Sequence, residues 1–335
     1  MQVYTLKNNY IEIDFIPRGG QIIAIRVPDA NGNVADVVVG YDTLEETLAG
    51  DGYFGALCGR YANRIVKGRF EIDGEKFQLD CNNETNHLHG GFDGFHARNW
   101  EVNALVSEKY TQAYQLKLSS EDGDQNYPGK LDVSVTYGLT NNNELVIEYE
   151  AETSKPTVIN LTSHPYFNLH GAGNGSAVNH ELQLNASRYT PISASLGTTS
   201  GEIASVIDTP FDFTSPKSVK LACESNHEQI NLFDGIDHNF VIDHYDGSVR
   251  LAGTLMDPES GRKMEVYTDQ PGIQIYTGAH FDGSTKGKKG APIEQCAGIA
   301  METQIFPNSP NYEHFPNAIL QPGEKYKHIC IYKFC

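Results

Sequence analysis

The amino-acid sequence predicts an all-β protein, a large and mainly antiparallel β-sandwich with very little helix. Three observations lead to this fold class. Short segments rich in β-branched and aromatic residues alternate with period two, as strands with one buried face do. Gly, Asn, Asp and Pro separate these segments, which is typical of turns between antiparallel strands. Convincing helical periodicity is scarce, so one strand-like segment follows another along the chain.

The N-terminal half contains the clearest strand and hairpin signals. Residues 10–15 and 21–27 are expected to form the first strands. Residues 69–79 predict a hairpin, because Asp73-Gly74 at its centre tolerates the positive φ angles of a type I′ turn. Further strands are predicted at 113–118, 131–139, 144–152 and 157–161, with the second and third of these forming a hairpin across Asn141, Asn142 and Asn143.

The C-terminal half continues in the same way. Short helical turns are expected only at residues 44–49 and after Pro216, and residues 170–179 and 283–291 resemble surface loops. The sequence contains neither a repeat of fixed period nor a linker rich in Pro, Gly or Ser, so residues 1–335 are predicted to form one domain. The remaining strands are predicted at 181–184, 238–242, 248–255, 263–268, 273–277 and 328–333.

Composition excludes several classes of function. A net charge of −18 with only 25 Lys and Arg argues against nucleic acid as a partner. No apolar run reaches the roughly 18 residues of a membrane span, and the N-terminus lacks the features of a signal peptide. The six cysteines include no CxxC pair, which favours reduced thiols. We therefore expect a cytoplasmic protein without a membrane partner.

Polar residues interrupt several strand-like segments where a plain core strand would be apolar. His87 and His89 are two positions apart, hence on one face if the chain is extended. Glu302 and Gln304 share a face in the same way. Buried polar groups need partners, so these segments indicate a shared polar pocket of the kind that a sugar with many hydroxyls requires. The segments are 59–65, 82–91, 160–169, 235–242 and 301–311.

Six motifs, in order, carry a resemblance to a known family. They are GRYANRI (59–65), NHLHGG (86–91), NLTSHPYFNL (160–169), DHNF (237–240), QPGIQIYTG (270–278) and METQIFPNSPN (301–311). Together they resemble the aldose 1-epimerase (galactose mutarotase) family, over nearly the whole chain. The resemblance implies an antiparallel β-sandwich with a broad sugar cleft. It also implies an enzyme that interconverts the α and β anomers of free aldohexoses such as galactose and glucose, with no cofactor and no metal.

The resemblance also assigns a role to each matching residue. Glu302 matches the base that takes the proton from the anomeric hydroxyl, and His164 matches the acid that protonates the ring oxygen. His89 matches a second histidine that hydrogen-bonds near the ring oxygen. These residue types suit proton transfer, since burial raises the pKa of a carboxylate and His is the usual donor near neutrality. The residues that match the binding positions for the sugar hydroxyls are Asn63, Arg64, Asp237 and Gln274.

Two positions depart from the family pattern, and two residues have no assigned role. The chain has Ala279-His280 where the family often has Asn after YTG, and Asn308 where it usually has Asp. Either change is expected to act on substrate preference or on the rim of the cleft. The functions of His87 and Arg60 are left open by the sequence.

Other functions compatible with the sequence are a non-catalytic sugar-binding or regulatory module and a mutarotase of phosphorylated hexoses. A glycoside hydrolase would need a pair of carboxylates flanking the scissile bond, which the motifs do not mark out. His87 and His89 with a distant Glu could ligate zinc or iron, although spacing marks no third ligand. The protein is expected to be a monomer or a homodimer, and which aldose it prefers is not encoded in any one motif.

Overall fold

A computed structural model describes residues 1–50 and 53–335 of the chain. Strands dominate these residues. In the first half they are β1 Tyr4–Lys7, β2 Glu12–Phe15, β3 Ile22–Pro28, β4 Val34–Asp36, β5 Leu57–Cys58, β6 Arg64–Ile65, β7 Arg69–Ile72, β8 Glu75–Gln78, β9 His87–Leu88, β10 Glu101–Ala104, β11 Gln112–Ser120, β12 Leu131–Leu139, β13 Glu144–Thr153, β14 Thr157–Val158, β15 Thr162–Ser163 and β16 Tyr166–Phe167.

The second half continues the pattern to the last residues of the chain. Its strands are β17 Glu181–Leu184, β18 Arg188–Thr190, β19 Ile192–Ser193, β20 Thr198–Thr199, β21 Ala204–Ser205, β22 Lys217–Ser218, β23 Asp237–Val241, β24 Arg250–Met256, β25 Lys263–Thr268, β26 Gly272–Tyr276, β27 Asp282–Lys286, β28 Pro292–Glu294, β29 Ile299–Gln304, β30 Ile319–Leu320 and β31 Tyr326–Phe334.

Helix is limited to short segments, which are α1 Leu44–Ala49, α2 Val219–Cys223 and α3 Glu228–Asn231. A capping box starts α1. The Thr43 hydroxyl accepts from the Glu46 backbone N–H at 3.2 Å, and the Glu46 carboxylate accepts from the Thr43 N–H at 3.0 Å. Over residues 1–50 and 53–335, no helix is long and apolar enough to cross a membrane.

Two antiparallel sheets form the body of the described structure. The larger has nine strands in the order β10-β11-β12-β13-β31-β25-β24-β17-β22, with β31 between β13 and β25. The other has six strands in the order β16-β29-β26-β23-β18-β21. The smaller sheets, β1 to β4 and several two-stranded ladders, lie around these two. The predicted all-β class with very little helix is confirmed.

The main hydrophobic core contains side chains from both large sheets. Tyr149 and Tyr332 come from the nine-stranded sheet, while Ile275 and Met301 come from the six-stranded one, and all four are almost fully buried. The Tyr332 hydroxyl donates to the Met301 carbonyl at 3.0 Å, which links the two sheets directly. Because this face of the six-stranded sheet is covered, its opposite face is the one available for a site.

Most predicted elements lie where the sequence placed them. Both predicted hairpins form, and Asp73 and Gly74 have φ angles of 52° and 84° in the turn between β7 and β8. The predicted helical turns correspond to α1 and α2, whereas α3 was not predicted. Two expectations were wrong in extent. The segment 157–161 forms a strand only over β14, with one isolated bridge between Asn160 and Tyr61, and the expected loop 283–291 contains most of β27. The division into one domain stays a prediction.

Arg60 ties the segment before β6 to the turn between β11 and β12. Its side chain is buried, and burial lowers its pKa to about 10. One guanidinium nitrogen donates to the Gly129 and Pro128 carbonyls at 2.7 and 3.0 Å. The second terminal nitrogen, Nη2, donates to the Ser120 hydroxyl at 2.7 Å and to the Ser120 carbonyl at 3.1 Å. Arg60 therefore has a structural role.

We expect Arg60→Ala to lower the free energy of unfolding by about 3 kcal/mol, because it leaves several buried carbonyl groups without a donor. Urea denaturation measures the change. Arg69→Ala is the matched control, since Arg69 is exposed on β7 and its loss is expected to cost only about 0.5 kcal/mol. Equal losses for the two variants would contradict the structural role.

Candidate active site

Strand β29 carries the predicted base on the face turned away from the main core. Ile299 and Met301 lie in the core, and the Thr303 hydroxyl hydrogen-bonds to His328 Nε2 at 2.8 Å. Side chains alternate between the two faces of a strand, so Glu302 and its neighbour Gln304 point to the opposite face. All six residues of β29 are nevertheless buried. The sequence prediction that Glu302 and Gln304 share a face agrees with this register.

Cross-strand register places three polar residues in one row. Asn239 on β23 lies opposite Gln274 on β26, and Gln274 lies opposite Glu302 on β29. All three are at most 2% exposed. Asp237 shares the face of Asn239 and accepts a hydrogen bond from Gln274 Nε2 at 2.7 Å. This face of the sheet is therefore a buried polar surface.

His164 reaches this surface from the segment between β15 and β16. Its backbone is fixed on both sides, because its N–H donates to the Ala56 carbonyl and its carbonyl accepts from Gly55 N–H, each at 2.9 Å. The ring nitrogen Nε2 lies 3.3 Å from Glu302 Oε1. Both side chains are almost fully buried, so the pair is shielded from bulk water.

His89 lies beside this pair, but the chain turns to bring it there. Its φ angle is 49°, and its ring centroid lies 5.3 Å from that of His164. His89 Nδ1 accepts the backbone N–H of Asn63 at 3.2 Å. A ring nitrogen that accepts carries no proton, so this contact assigns the proton of the neutral ring to Nε2. His89 is thus available as a hydrogen-bond donor through Nε2.

The first glycine of the HGG motif is required for a steric reason. Gly90 has a φ angle of 88°, and a Cβ placed there would lie 1.7 Å from the Gly59 carbonyl oxygen. Any other residue would push the segment that holds His89 away from the segment that leads to Asn63. The glycine is therefore needed for the close approach of two chain segments.

His87 does not join His89 in the site. The expectation that they share one face was wrong, because the positive φ angle at His89 ends the extended conformation after β9. His87 Nδ1 hydrogen-bonds to the Asp80 carbonyl at 2.7 Å, and Nε2 hydrogen-bonds to the Tyr127 hydroxyl at 2.6 Å. Its two ring nitrogens are both occupied within the fold.

Arg64 and Asp237 form an ion pair at the edge of the polar surface. Arg64 Nη1 lies 3.2 Å from Asp237 Oδ2, and Arg64 Nε donates to Asn83 Oδ1 at 3.0 Å. The preceding residue, Asn63, accepts the Arg64 backbone N–H on its side-chain oxygen at 2.8 Å. Asn308 supports the same segment, since its N–H donates to the Arg64 carbonyl at 2.8 Å. This contact is made by the backbone and does not depend on the side chain at position 308.

The electrostatics of the site are governed by burial. Burial raises the pKa of Glu302 well above its usual value, and the nearby Asp237 raises it further. Burial lowers the pKa of His164 to about 4 and holds the pKa of His89 well below its usual value. Both histidines are thus neutral near pH 7 in the free protein. Glu302 is the group most able to hold a proton.

Several buried polar atoms at this face have no hydrogen-bond partner among the described protein atoms. They include Glu302 Oε2, His164 Nδ1, Gln274 Oε1, Asn239 Oδ1 and both amide atoms of Gln304. Buried polar groups without partners cost free energy. A hydroxyl-rich ligand that reaches them would supply the missing donors and acceptors, so the arrangement suits a sugar.

The structure brings all seven predicted site residues into one connected cluster, and it adds two to which sequence analysis gave no role. Tyr53 covers the histidines, with its ring centroid 4.6 Å from that of His89 and 6.0 Å from that of His164. No sequence pattern marks Tyr53. Asn239 lies in the segment 235–242 that was predicted to line the pocket but was given no role of its own, although the period of two within DHNF puts it on the face of Asp237. At the rim, the His280 ring stacks on Tyr276, with centroids 5.7 Å apart.

This cluster of side chains suits proton transfer better than it suits the binding of a metal ion. One potential ligand atom each from His89, His164 and Glu302 lies within 4.8 Å of the others, so the count of ligands is sufficient. However, His89 Nδ1 accepts a backbone N–H, which leaves the proton on Nε2. A metal bound at Nε2 would require removal of that proton. A histidine that binds a metal through one ring nitrogen normally donates a hydrogen bond through the other, whereas His89 Nδ1 accepts one.

Comparisons with known proteins agree with the motifs. A family profile described as aldose 1-epimerase matches residues 2–333. Galactose mutarotase from Mus musculus is 41% identical over 334 residues, covering 100% of this chain and 94% of the relative. Aldose 1-epimerase from Escherichia coli is 33% identical over 336 residues, covering 99% and 95%. The chain belongs to the aldose 1-epimerase family, as the sequence predicted.

Solved structures of similar proteins share the fold. A GalM/aldose epimerase homologue from C. elegans has a TM-score of 0.88 and 28% identity, with 100% of this chain and 98% of the other covered. Galactose 1-epimerase from Lactobacillus acidophilus has a TM-score of 0.87 and 28% identity, with 99% and 94% covered. The predicted sandwich is thereby confirmed at the level of the whole chain.

We expect Gly90→Ala to lower the free energy of unfolding by about 3 kcal/mol or more, because the new Cβ adds a clash to the strain of a positive φ angle. Gly74→Ala is the matched control. Gly74 has a similar φ angle of 84°, but no atom lies within 4 Å of its added Cβ. We expect it to lose only about 1–2 kcal/mol, from strain alone. Urea denaturation of both variants measures the two losses of free energy. Equal losses would show that the added Cβ at position 90 does not clash.

Proposed function

We propose that this protein is an aldose 1-epimerase that interconverts the α and β anomers of a free aldohexose, with galactose and glucose as candidate substrates. Glu302 is the base and His164 is the acid. Its membership of the family supports this activity, as do the names of its relatives, galactose mutarotase and aldose 1-epimerase.

The observation that carries the proposal is the 3.3 Å separation of Glu302 Oε1 and His164 Nε2. Ring opening must remove a proton from one oxygen of the anomeric carbon and deliver a proton to the other. Two oxygens on one carbon lie close together, so the base and the acid must also be neighbours. A buried, adjacent carboxylate and imidazole meet that requirement.

The reaction follows from these positions. Glu302 takes the proton of the anomeric hydroxyl, and the C1–O5 bond breaks as His164 protonates the ring oxygen. The open-chain aldehyde then rotates about the C1–C2 bond. In the reverse transfer, the O5 hydroxyl attacks the other face of C1, returns its proton to His164, and the new anomeric oxygen recovers a proton from Glu302. Protons and electrons balance, because the product is an isomer of the substrate.

The proton count of the catalytic pair supports this assignment. Burial disfavours the charge of both groups in the free protein, so it favours the arrangement with the proton on Glu302 and a neutral His164. In the arrangement that carries out the reaction this proton lies on His164 instead, so the pair takes up no proton from solvent. Arg64 favours that transfer by stabilising the Glu302 carboxylate, whereas Asp237 stabilises protonated His164 but also disfavours the Glu302 carboxylate.

The remaining predicted residues would hold the sugar. His89 would donate through Nε2 near the ring oxygen. Arg64 and Asp237 would offer a fork of donors and a pair of acceptors to neighbouring hydroxyls. Asn63 and Gln274 line the same cavity as this ion pair, together with Asn239. The unpartnered oxygen of Gln274 gives that residue a free acceptor for a hydroxyl.

The geometry favours this activity over the rival enzymes. A glycoside hydrolase uses two carboxylates about 5–10 Å apart, each free to act on the bond. Here the second carboxylate, Asp237, already accepts from Arg64 and Gln274. Among the described residues that line the cavity, Arg64 is the one cation, and Asp237 neutralises it. A phosphorylated hexose would lack a free positive partner there.

We expect Glu302→Gln and His164→Asn each to lower kcat by about 10²–10⁴-fold, because each removes one proton-transfer group. Polarimetry on freshly dissolved α-D-galactose and α-D-glucose measures the rate, and calorimetry measures sugar binding. Binding should change little, since both replacements keep a polar side chain of similar size. Glu294→Gln, an exposed carboxylate on β28, is the matched control and should act like the wild type.

Three results would contradict the assignment. Near-full activity of Glu302→Gln would mean that Glu302 is not the base. Folded wild-type protein that binds a sugar without accelerating its mutarotation would instead favour the non-catalytic binding module. Acceleration of a phosphorylated hexose alone would favour that substrate class.

Arg64→Ala is expected to act mainly on binding. It removes charged hydrogen bonds to hydroxyls, each worth about 1.5–3 kcal/mol, so KM should rise roughly 10–100-fold while kcat changes less. Arg64→Lys keeps the charge but loses the fork of donors, and should fall between Ala and the wild type. A loss confined to kcat in both variants would show that Arg64 acts on the reaction and not on binding.

Three features of the protein stay predictions. These are the cytoplasmic location, the monomeric or homodimeric state and the single domain. Size-exclusion chromatography with light scattering measures the second directly.

A further inference from the structure

The turn at residues 53–56 ties the backbone of His164 to the tyrosine that covers the site. Ala56 N–H donates to the Tyr53 carbonyl at 3.0 Å and closes the turn. Gly55 N–H and the Ala56 carbonyl are the two groups that hold the backbone of His164, each at 2.9 Å. Tyr53 and His164 are therefore parts of one hydrogen-bonded unit, although they are far apart in the sequence.

This turn is anchored on two sides. Ile22 N–H on β3 donates to the Gly55 carbonyl at 2.9 Å, which attaches the turn to the neighbouring sheet. Phe54 is 5% exposed, and its ring centroid lies 5.4 Å from that of Tyr166. The Phe54 ring is thus packed in the interior, and Tyr53 extends from a turn that is held in place.

The ring of Tyr53 contacts three histidine rings. Its centroid is 4.6 Å from that of His89 and 4.6 Å from that of His96, with interplanar angles of 53° and 64°. It also lies 6.0 Å from the His164 ring, at an angle of 27°. Aromatic pairs prefer centroid distances of about 4.5–7 Å, so all three contacts are favourable. Rotation of the Tyr53 side chain away from the site would break all of them.

The orientation of the His89 ring depends on these contacts. Within the described part of the chain, the ring makes one hydrogen bond, in which Nδ1 accepts from Asn63 N–H at 3.2 Å. A single hydrogen bond fixes the position of Nδ1 but leaves the ring free to tilt about it. The rings of Tyr53 and His164 restrict that tilt, since the second lies 5.3 Å away with an interplanar angle of 78°. The direction of His89 Nε2–H therefore follows from the packing of the rings.

We propose that Tyr53 is a positioning residue, whose ring keeps His89 Nε2–H directed at the sugar in the proposed reaction. The ring is the part required, and not the hydroxyl. Burial raises the pKa of Tyr53, so its hydroxyl keeps its proton near neutral pH and is unsuited to act as a base. The role in the reaction rests on the proposed function, whereas the effect of Tyr53 on the His89 ring does not.

Polarimetry tests the part of the proposal that concerns the reaction. Tyr53→Leu removes the ring, and we expect kcat to fall about 10–100-fold while KM changes less, because a misdirected donor acts on the transition state. Tyr53→Phe keeps the ring and should restore most of the lost activity. An equal loss of kcat in both variants would overturn the proposal, since the hydroxyl would then be the required group. A loss confined to KM in Tyr53→Leu would overturn it as well.

Tyr4→Leu is the matched control for these variants. Tyr4 is partly exposed on β1, and its ring centroid lies 5.4 Å from that of Phe15 and 5.2 Å from that of Tyr114. Its replacement also removes aromatic contacts, but none of them involves a histidine of the site. We expect Tyr4→Leu to lower stability and to leave kcat unchanged.

Nuclear magnetic resonance on ¹⁵N-labelled, ligand-free protein tests the orientation of His89 directly. We expect wild-type His89 to carry its proton on Nε2, and the Asn63 amide that donates to Nδ1 to exchange slowly with solvent. In Tyr53→Leu the two tautomers of His89 should mix, and the Asn63 amide should exchange about 2–10-fold faster, as the loss of aromatic contacts predicts. Tyr53→Phe should resemble the wild type.

Two results of this measurement would overturn the proposal. One is a set of His89 and Asn63 signals that Tyr53→Leu leaves unchanged. The other is a proton on His89 Nδ1 in the wild type, a result that does not depend on the folding of any variant. Wild-type protein without mutarotase activity would contradict the proposed function alone, because these signals would still report on Tyr53.

Discussion

The alternation of side chains along β29 is the constraint on which the site depends. All six residues of this strand are buried, yet its two faces meet different chemistry. On the core face Thr303 is satisfied by His328, while on the opposite face Glu302 and Gln304 keep polar atoms without a protein partner. A shift of one residue in register would exchange the faces and place the carboxylate in the hydrocarbon core. The proposed catalytic site and the fold therefore require the same register.

Burial shifts the pKa values of the two groups of the proposed catalytic pair in opposite directions, raising that of Glu302 and lowering that of His164. It disfavours the charge of Glu302 and the charge of His164 alike, so the neutral arrangement is the resting one. Arg64 favours the Glu302 carboxylate, while Asp237 favours protonated His164 and disfavours the Glu302 carboxylate. A strongly polar pocket would fix one arrangement, and a fully apolar pocket would fix the other.

Local rules predicted what local interactions determine. The turn at Asp73-Gly74 and the helix that starts after Thr43 follow from backbone geometry and capping. The site residues were found by motif, since their assembly requires contacts between segments far apart in the chain. Periodicity failed where one residue breaks the repeat, as at His89, whose positive φ angle separates it from His87. The position of Tyr53 beside the histidines depends on tertiary contacts alone, and no pattern of period two or 3.6 encodes such contacts.

The central position of β31 has a consequence for synthesis of the chain. This strand pairs with both β13 and β25 in the nine-stranded sheet, and it follows every other strand of that sheet in the sequence. During translation its two neighbours are therefore made before it and must wait, with unpaired edges, until it arrives. Long-range pairing of this kind slows folding and exposes the intermediate to aggregation. A chaperone that shields these two edges on the nascent chain would protect the step on which completion of the sheet depends.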